Sequence, residues 1–463
     1  MTAPLKQSLH RLGTLLITLS GVTPAASVFV FGQTVIHQAG TGALWCFLAA
    51  GLLGLTTAYV YAELSSAFPL TGGEYSMIGA TMGPSWGFMA LGLNLAGGCL
   101  GQAVTALGLA EYLNVVVPGA PALPIALVAT AAVTVLSVLH VRTNAWITGL
   151  FLAVELGALL LLAGLGVLHP HRGLDTVLLH PQMLAASGAL GPTPLAAMGV
   201  ATAGAIYAFN GYGGAVFFGE EMFEARKRVA WVIFWALGIA AVAELGPIAA
   251  FAIGAGDLKT VLAADNPLPA FVLAAGGSLL SKAVSLGVAF AIVNAMIAVA
   301  LINARQLYAS ARDSVWPTVW NRALGAVHPR FGSPWIAAVV MGAATAACCL
   351  INLDFLIMLT ANGFVLVYAG VSVAALAGRR TGSTAKGHYR MPLFPLAPVL
   401  SLAALAAVAA ADLADAQSGR PSLIANLAVM ALFAAYYGLY LRRRGGWTLR
   451  GADDEALKVS GPV

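Results

Sequence analysis

Twelve apolar stretches, each close to the roughly 20 residues that a helix needs to cross a bilayer, leave this chain little choice but a bundle of membrane helices. They are predicted at about 12–37, 42–67, 84–113, 122–140, 145–168, 195–219, 229–254, 280–303, 334–352, 354–377, 393–411 and 422–441. Of 463 residues, 60% are hydrophobic and 9% charged, and the mean hydropathy is +0.87. That exceeds the apolar content of a water-soluble domain. The fold class expected is an all-α polytopic membrane protein with about twelve transmembrane helices.

Two of the spans are interrupted. Gly21-Val22-Thr23-Pro24 breaks the first, and Asn210-Gly211-Tyr212-Gly213-Gly214 breaks the sixth. In hydrocarbon every backbone N–H and C=O needs a partner, so a broken helix persists only where the freed groups line a cavity or hold a ligand. Breaks at corresponding places in two halves of a chain point to a solute site at the bilayer midplane.

Charge sets the topology. With the N-terminus inside, 19 of the 23 Lys and Arg fall on that same face, and Arg172, Lys259, Lys282 and Arg420 fall on the other. The positive-inside rule then puts both termini in the cytoplasm and favours an even number of spans. The net charge of +5 is thus topological, with anionic lipid headgroups rather than nucleic acid as the counter-charge. The first apolar run continues through Gly21 and Pro24 without a cleavage site, so it is expected to stay in the protein. Trp45, Trp86, Trp146, Trp231, Trp335 and Trp447 lie near span ends, as interfacial anchors do.

Cys46, Cys99, Cys348 and Cys349 sit inside spans without metal spacing, and all eight His lie outside span centres. Neither a metal site nor a cofactor is expected. Gly254-Ala255-Gly256-Asp257 spells an intramembrane protease motif but falls at a span end with no second membrane aspartate. Gly97 and Gly101 have the spacing of a close helix contact.

Four segments carry a resemblance. They are Tyr61-Ala62-Glu63-Leu64-Ser65-Ser66-Ala67-Phe68-Pro69-Leu70-Thr71-Gly72-Gly73-Glu74-Tyr75, Glu220-Glu221-Met222-Phe223-Glu224-Ala225-Arg226-Lys227, Asn303-Ala304-Arg305-Gln306-Leu307-Tyr308-Ala309-Ser310-Ala311-Arg312-Asp313, and Tyr389-Arg390-Met391-Pro392-Leu393-Phe394-Pro395. In order and spacing, across almost the whole chain, the sequence resembles the amino acid-polyamine-organocation superfamily of transporters. The resemblance implies a LeuT-like five-plus-five inverted repeat with two additional C-terminal helices. The repeats are placed at 1–168 and 195–377, the added helices at 393–441, and a cytoplasmic tail at 442–463. An odd repeat length turns the second copy over, which fits breaks in the first and sixth spans.

At the first break, Thr23 is a candidate N-cap and Pro24 suits the first turn of a new half-helix. The amides of Ala25, Ala26 and Ser27 would then carry the positive end of its dipole toward an anionic group. Relatives often have a Gly-Ser-Gly type run here that cradles the substrate carboxylate. Thr-Pro-Ala-Ala-Ser departs from it, and some relatives that import amines also have Thr-Pro. Gly21 completes this part of the expected site.

At the second break, Gly211 supplies backbone freedom, while Tyr207, Phe209 and Tyr212 supply aromatic surface that resembles the lid over a bound amino acid. Asn210 is expected either to reach the solute or a water, or to bond another helix. Gly213 stands where many relatives have an acidic or polar residue. Aromatic faces can still hold a cation.

Glu155 and Glu244 lie near the middle of the fifth and seventh spans, where an ionised carboxylate costs about 2.5–3.5 kcal/mol. Each is a candidate ion-coupling group, for H⁺ or alternatively Na⁺, and each has the alternative of a hydrogen-bonded acid between helices. In proton-coupled relatives a lysine often takes the place that Glu155 occupies. Asn94, Gln102 and Asn294 either face the pathway or bond between helices.

The function expected is secondary transport of an amino acid or a related amine, by ion coupling or exchange, in the cell (inner) membrane. A solute sensor of the same fold would need an output module, and the predicted termini are short. No nucleophile, metal or acid pair supports an enzyme.

Overall fold

The chain is described by a computed structural model over residues 5–116, 119–185, 187–417, 419–444 and 449. Trp447, Arg450 and Lys458, and most of the expected tail, lie outside the described residues.

The architecture is helical. Helices α1 (Arg11–Val22), α2 (Gly32–Ala39), α3 (Ala43–Ala67), α4 (Glu74–Met82), α5 (Pro84–Val116), α6 (Ala122–Ser137) and α7 (Val141–Leu168) form the first half. They are followed by α8 (Leu195–Ala208), α9 (Ala225–Gly254), α10 (Pro267–Arg312), α11 (Trp335–Cys348), α12 (Leu353–Thr381), α13 (Leu396–Ala414) and α14 (Gly419–Tyr436). Among the described residues, eight helical stretches are long and apolar enough to cross a membrane; the first, Arg11–Ala67, runs through two of the predicted spans. Two further apolar helices, α6 and α11, are shorter. This is a multi-pass membrane protein. Large apolar side chains such as Val128, Leu150, Leu160, Val242 and Leu279 are exposed on its outer helix faces.

At the centre, α10 packs against α5 and α7, while α1 packs against α7, α9 and α10. α1 stops at Thr23, whose φ of 50° leaves the right-handed helix. Pro24 restarts the chain, and a π-helical turn over Ser27–Phe31 leads into α2. α8 ends at Ala208, and the chain turns through Gly211 into a 3₁₀ segment over Tyr212–Phe218.

One element departs from an all-α expectation. Gln182–Leu184 and Leu190–Pro192 pair as a small antiparallel hairpin in the loop between α7 and α8. Its docking surface explains it. A Cβ on Gly40 would lie 2.0 Å from the Gln182 carbonyl oxygen, so the absence of a side chain lets the hairpin close on the α2–α3 corner. Gln182 N–H donates to Thr41 Oγ1 at 2.8 Å.

Buried ion pairs bind together the segments that carried the family resemblance. Arg305 pairs with Glu221, and Arg312 pairs with Glu220 and Asp313. Arg379 forks onto Glu63 at 2.5 and 2.7 Å, and the Met391 amide donates to the same carboxylate at 2.8 Å. Glu220 also accepts from the Thr71 amide at 3.0 Å. The loops after α3 and before α9 are thereby fixed to the ends of α10 and α12. The four cysteines are free thiols in or beside the core.

Candidate functional site

The two interrupted segments meet. Gly211 has φ of 113°, and a Cβ there would lie 2.6 Å from the Gly21 carbonyl oxygen and 2.8 Å from the Val22 nitrogen. Only glycine permits both that backbone conformation and that approach. Ser27 Oγ lies 2.6 Å from the Ala208 carbonyl oxygen and 3.2 Å from that of Val22. The single proton of this hydroxyl lies within reach of carbonyls freed at both breaks, with the Ala208 oxygen the nearer acceptor, so a side chain supplies a donor that the irregular backbone lacks.

Beside this junction lies a cavity of about 170 Å³. Gly21, Thr23, Ser27, Tyr207, Asn210 and Gly211 reach it from the breaks; α5 contributes Asn94 and Gly97, and α12 contributes Phe364 and Tyr368. Phe31, Tyr207, Phe364, Tyr368 and Tyr61 form a continuous aromatic chain, with ring centroids 4.6, 6.0, 6.2 and 5.8 Å apart in that order. Gly97 faces open space: a Cβ there would meet nothing within 4 Å. It serves the cavity rather than the close helix contact that its spacing suggested.

Glu74, at the start of α4, is the one charged side chain among the described residues lining this cavity. Its Oε1 accepts from Tyr61 Oη at 3.0 Å and its Oε2 from Asn94 Nδ2 at 3.2 Å. Burial pushes its carboxyl up to about 7, against the pull of those hydrogen bonds.

Glu155 and Glu244 lie behind the first break and do not line the cavity. Both are fully buried. Glu155 Oε1 accepts the Ala25 N–H at 2.9 Å, and its Oε2 accepts from Asn294 Nδ2 at 3.4 Å. Ser27 and Glu155 are the polar neighbours of Glu244. Thr23 makes no side-chain cap. The half-helix N-terminus is instead met by the Glu155 carboxylate, which suits its dipole and takes the Ala25 amide expected for a solute.

Other expected site residues fall elsewhere. Ala25 and Ala26 are buried and do not line the cavity. Phe209 and Tyr212 line a separate space of about 30 Å³ against α13. Asn210 accepts from the Tyr368 hydroxyl, so it bonds another helix and borders the cavity at once. Gln102 accepts from Asn303 Nδ2 at 3.1 Å, an interhelical bond. The sequence reading missed Phe31, Tyr61, Glu74, Phe364 and Tyr368. An aromatic in an apolar span carries no local mark of facing a cavity.

Comparison with known proteins gives a consistent result. The family model described as "Amino acid permease" matches residues 9–433. An uncharacterized transporter of Mycobacterium tuberculosis is 28% identical over 381 residues, covering 80% of each chain. A branched-chain amino acid permease of Bacillus subtilis is 24% identical over 405 residues, 81% of this chain and 82% of its own. Cationic amino acid transporter 4 of Homo sapiens is 24% identical over 415 residues, 82% of this chain and 61% of its own.

Proposed function

The chain belongs to the amino acid permease family, and from that premise we propose that it moves an amino acid or related amine across the membrane by alternating access. The observation that carries this reading is the backbone contact between Gly211 and the Gly21–Val22 junction beside an aromatic-walled cavity. Solute sites of broken-helix transporters lie at such junctions.

In this reading the twelve apolar segments all span, the first ten as two inverted five-helix repeats, with both termini in the cytoplasm of a cell (inner) membrane. Exposed apolar helix faces meet lipid. Glu155 couples the solute to a proton. As a carboxylate it holds the Ala25 N–H; once protonated it holds that amide less strongly, which loosens the restart of the first span beside the cavity. Glu244 is the second coupling group, and Na⁺ is the alternative ion.

The test is uptake of labelled amino acids and amines into proteoliposomes, with an inward pH gradient, an inward Na⁺ gradient or internal solute for exchange. The reading expects saturable uptake of at least one such solute. If none is moved under any of the three conditions, it is wrong.

A further inference from the structure

Seven carboxylates are buried in the described protein, and Glu63, Glu220, Glu221 and Asp313 each have an arginine. Glu74, Glu155 and Glu244 have none. Glu155 and Glu244 lie behind the first break, where one of them meets a backbone amide. Glu74 differs because it faces the cavity, and no Lys, Arg or His is among the described residues lining it.

Its two neutral donors, Tyr61 Oη and Asn94 Nδ2, satisfy one contact on each oxygen. A carboxylate has about four acceptor positions, so capacity remains on the cavity side. Gln306 adds another acceptor: it lines the cavity, and its Oε1 is buried without a hydrogen-bond partner. The rings of Tyr61, Tyr368, Phe364 and Tyr207 complete a wall whose faces attract cations. The one charged side chain of this wall and its unpaired acceptor both favour a positive group.

We propose that Glu74 is a specificity-determining residue that receives a second cationic group of the solute, so that the cavity selects amino acids and amines with an ammonium or guanidinium at their far end. This rests on the reading of the cavity as the solute site.

The electrostatic surroundings make the consequence of pH readable. Tyr61 is the titratable side chain facing Glu74 from α3, and neutral Asn94 faces it from α5. From α12, which packs on α4 together with the Ser383–Lys386 turn, the Tyr368 phenol shares the cavity with Glu74, Arg379 is held by Glu63, and Arg380 and Lys386 are exposed. With the carboxyl near 7, acid neutralises it while a lysine side chain stays charged. Preference for a dicationic solute should therefore be full above about pH 8 and lost as pH falls through 7.

The experiment measures binding of L-lysine and L-leucine to the purified full chain, for wild type, Glu74→Gln and Glu74→Asp, at pH 8 and pH 5.5. Wild type should bind lysine at pH 8, and Glu74→Gln should weaken lysine about 10- to 100-fold more than it weakens leucine. Glu74→Asp should keep the preference in part, because the charge is retained. The lysine-to-leucine ratio should be flat across pH for Glu74→Gln and fall in acid for wild type, and the wild-type measurement alone keeps the test decisive should that variant fold poorly. Equal weakening of both solutes, or a pH-independent ratio in wild type, overturns the proposal. Leucine binding without lysine binding overturns it and leaves the transport reading intact. Failure of wild type to bind any amino acid or amine defeats both.

Discussion

Glu155→Gln is expected to leave solute exchange intact while abolishing accumulation driven by a pH gradient. One proton per solute across a gradient of about one pH unit supports about tenfold accumulation, ~1.4 kcal/mol. The variant should fall to equal concentrations on both sides, because an amide takes up no proton. It should also fold. The substituted side chain would keep an oxygen for the Ala25 N–H, and Asn294, whose Oδ1 has no partner, can turn that oxygen toward the new amide. The check is paired uptake and counterflow in proteoliposomes at matched protein. Tenfold accumulation by the variant would make Glu155 structural and bring forward Glu244 or Na⁺.

Arg305→Met is expected to destabilise the protein by about 3–5 kcal/mol, since it strands the Glu221 carboxylate in the core. Arg305 is 1% exposed; it forks onto Glu221, donates to the Leu301 carbonyl at 3.0 Å and lies 4.8 Å from the Phe218 ring centroid. The carbonyl of Glu221 also receives the Ser8 and Leu9 amides at 2.8 Å, so the loss spreads to the N-terminal segment. Against a total stability of about 5–15 kcal/mol the effect is large. Thermal unfolding followed by size-exclusion chromatography measures it. Adding Glu221→Gln should recover much of the loss, because the cost comes from the unpaired charge. A single variant as stable as wild type would show that the pair contributes little to the fold.

Much of this architecture was legible in the chain because the bilayer imposes strict rules on it. Runs of low charge located helices such as α7 and α9, and Gly211 and Pro24 marked the breaks because their backbone preferences are local. The meeting of those breaks follows from packing, and spacing expressed it only as corresponding places in two halves. What escaped was long-range. Glu74 sits in a loop motif, and nothing nearby in sequence indicates that its side chain turns into the cavity toward Tyr61 and Asn94, 13 and 20 residues away. Phe364 and Tyr368 lie on an apolar span, where periodicity treats a cavity wall and a packed core alike. Thr23 has the side chain of an N-cap, yet the carboxylate of Glu155, 130 residues away from Ala25, takes the amide of that residue. A distant ionisable group is a better partner for a helix dipole than a neutral hydroxyl, and only the folded chain brings it there.

The central claim is that the space beside the two breaks opens to each side of the membrane in turn and holds the solute. Gly97 gives the most direct probe: it lines that space, and a side chain added there meets no neighbour within 4 Å. In a background with Cys46, Cys99, Cys348 and Cys349 replaced by Ala, Gly97→Cys can be exposed to a membrane-impermeant thiol reagent from either face. The account predicts labelling from both faces, and protection from both by a transported amino acid or amine. Labelling confined to one face under every condition, or labelling that no transported solute slows, would contradict it.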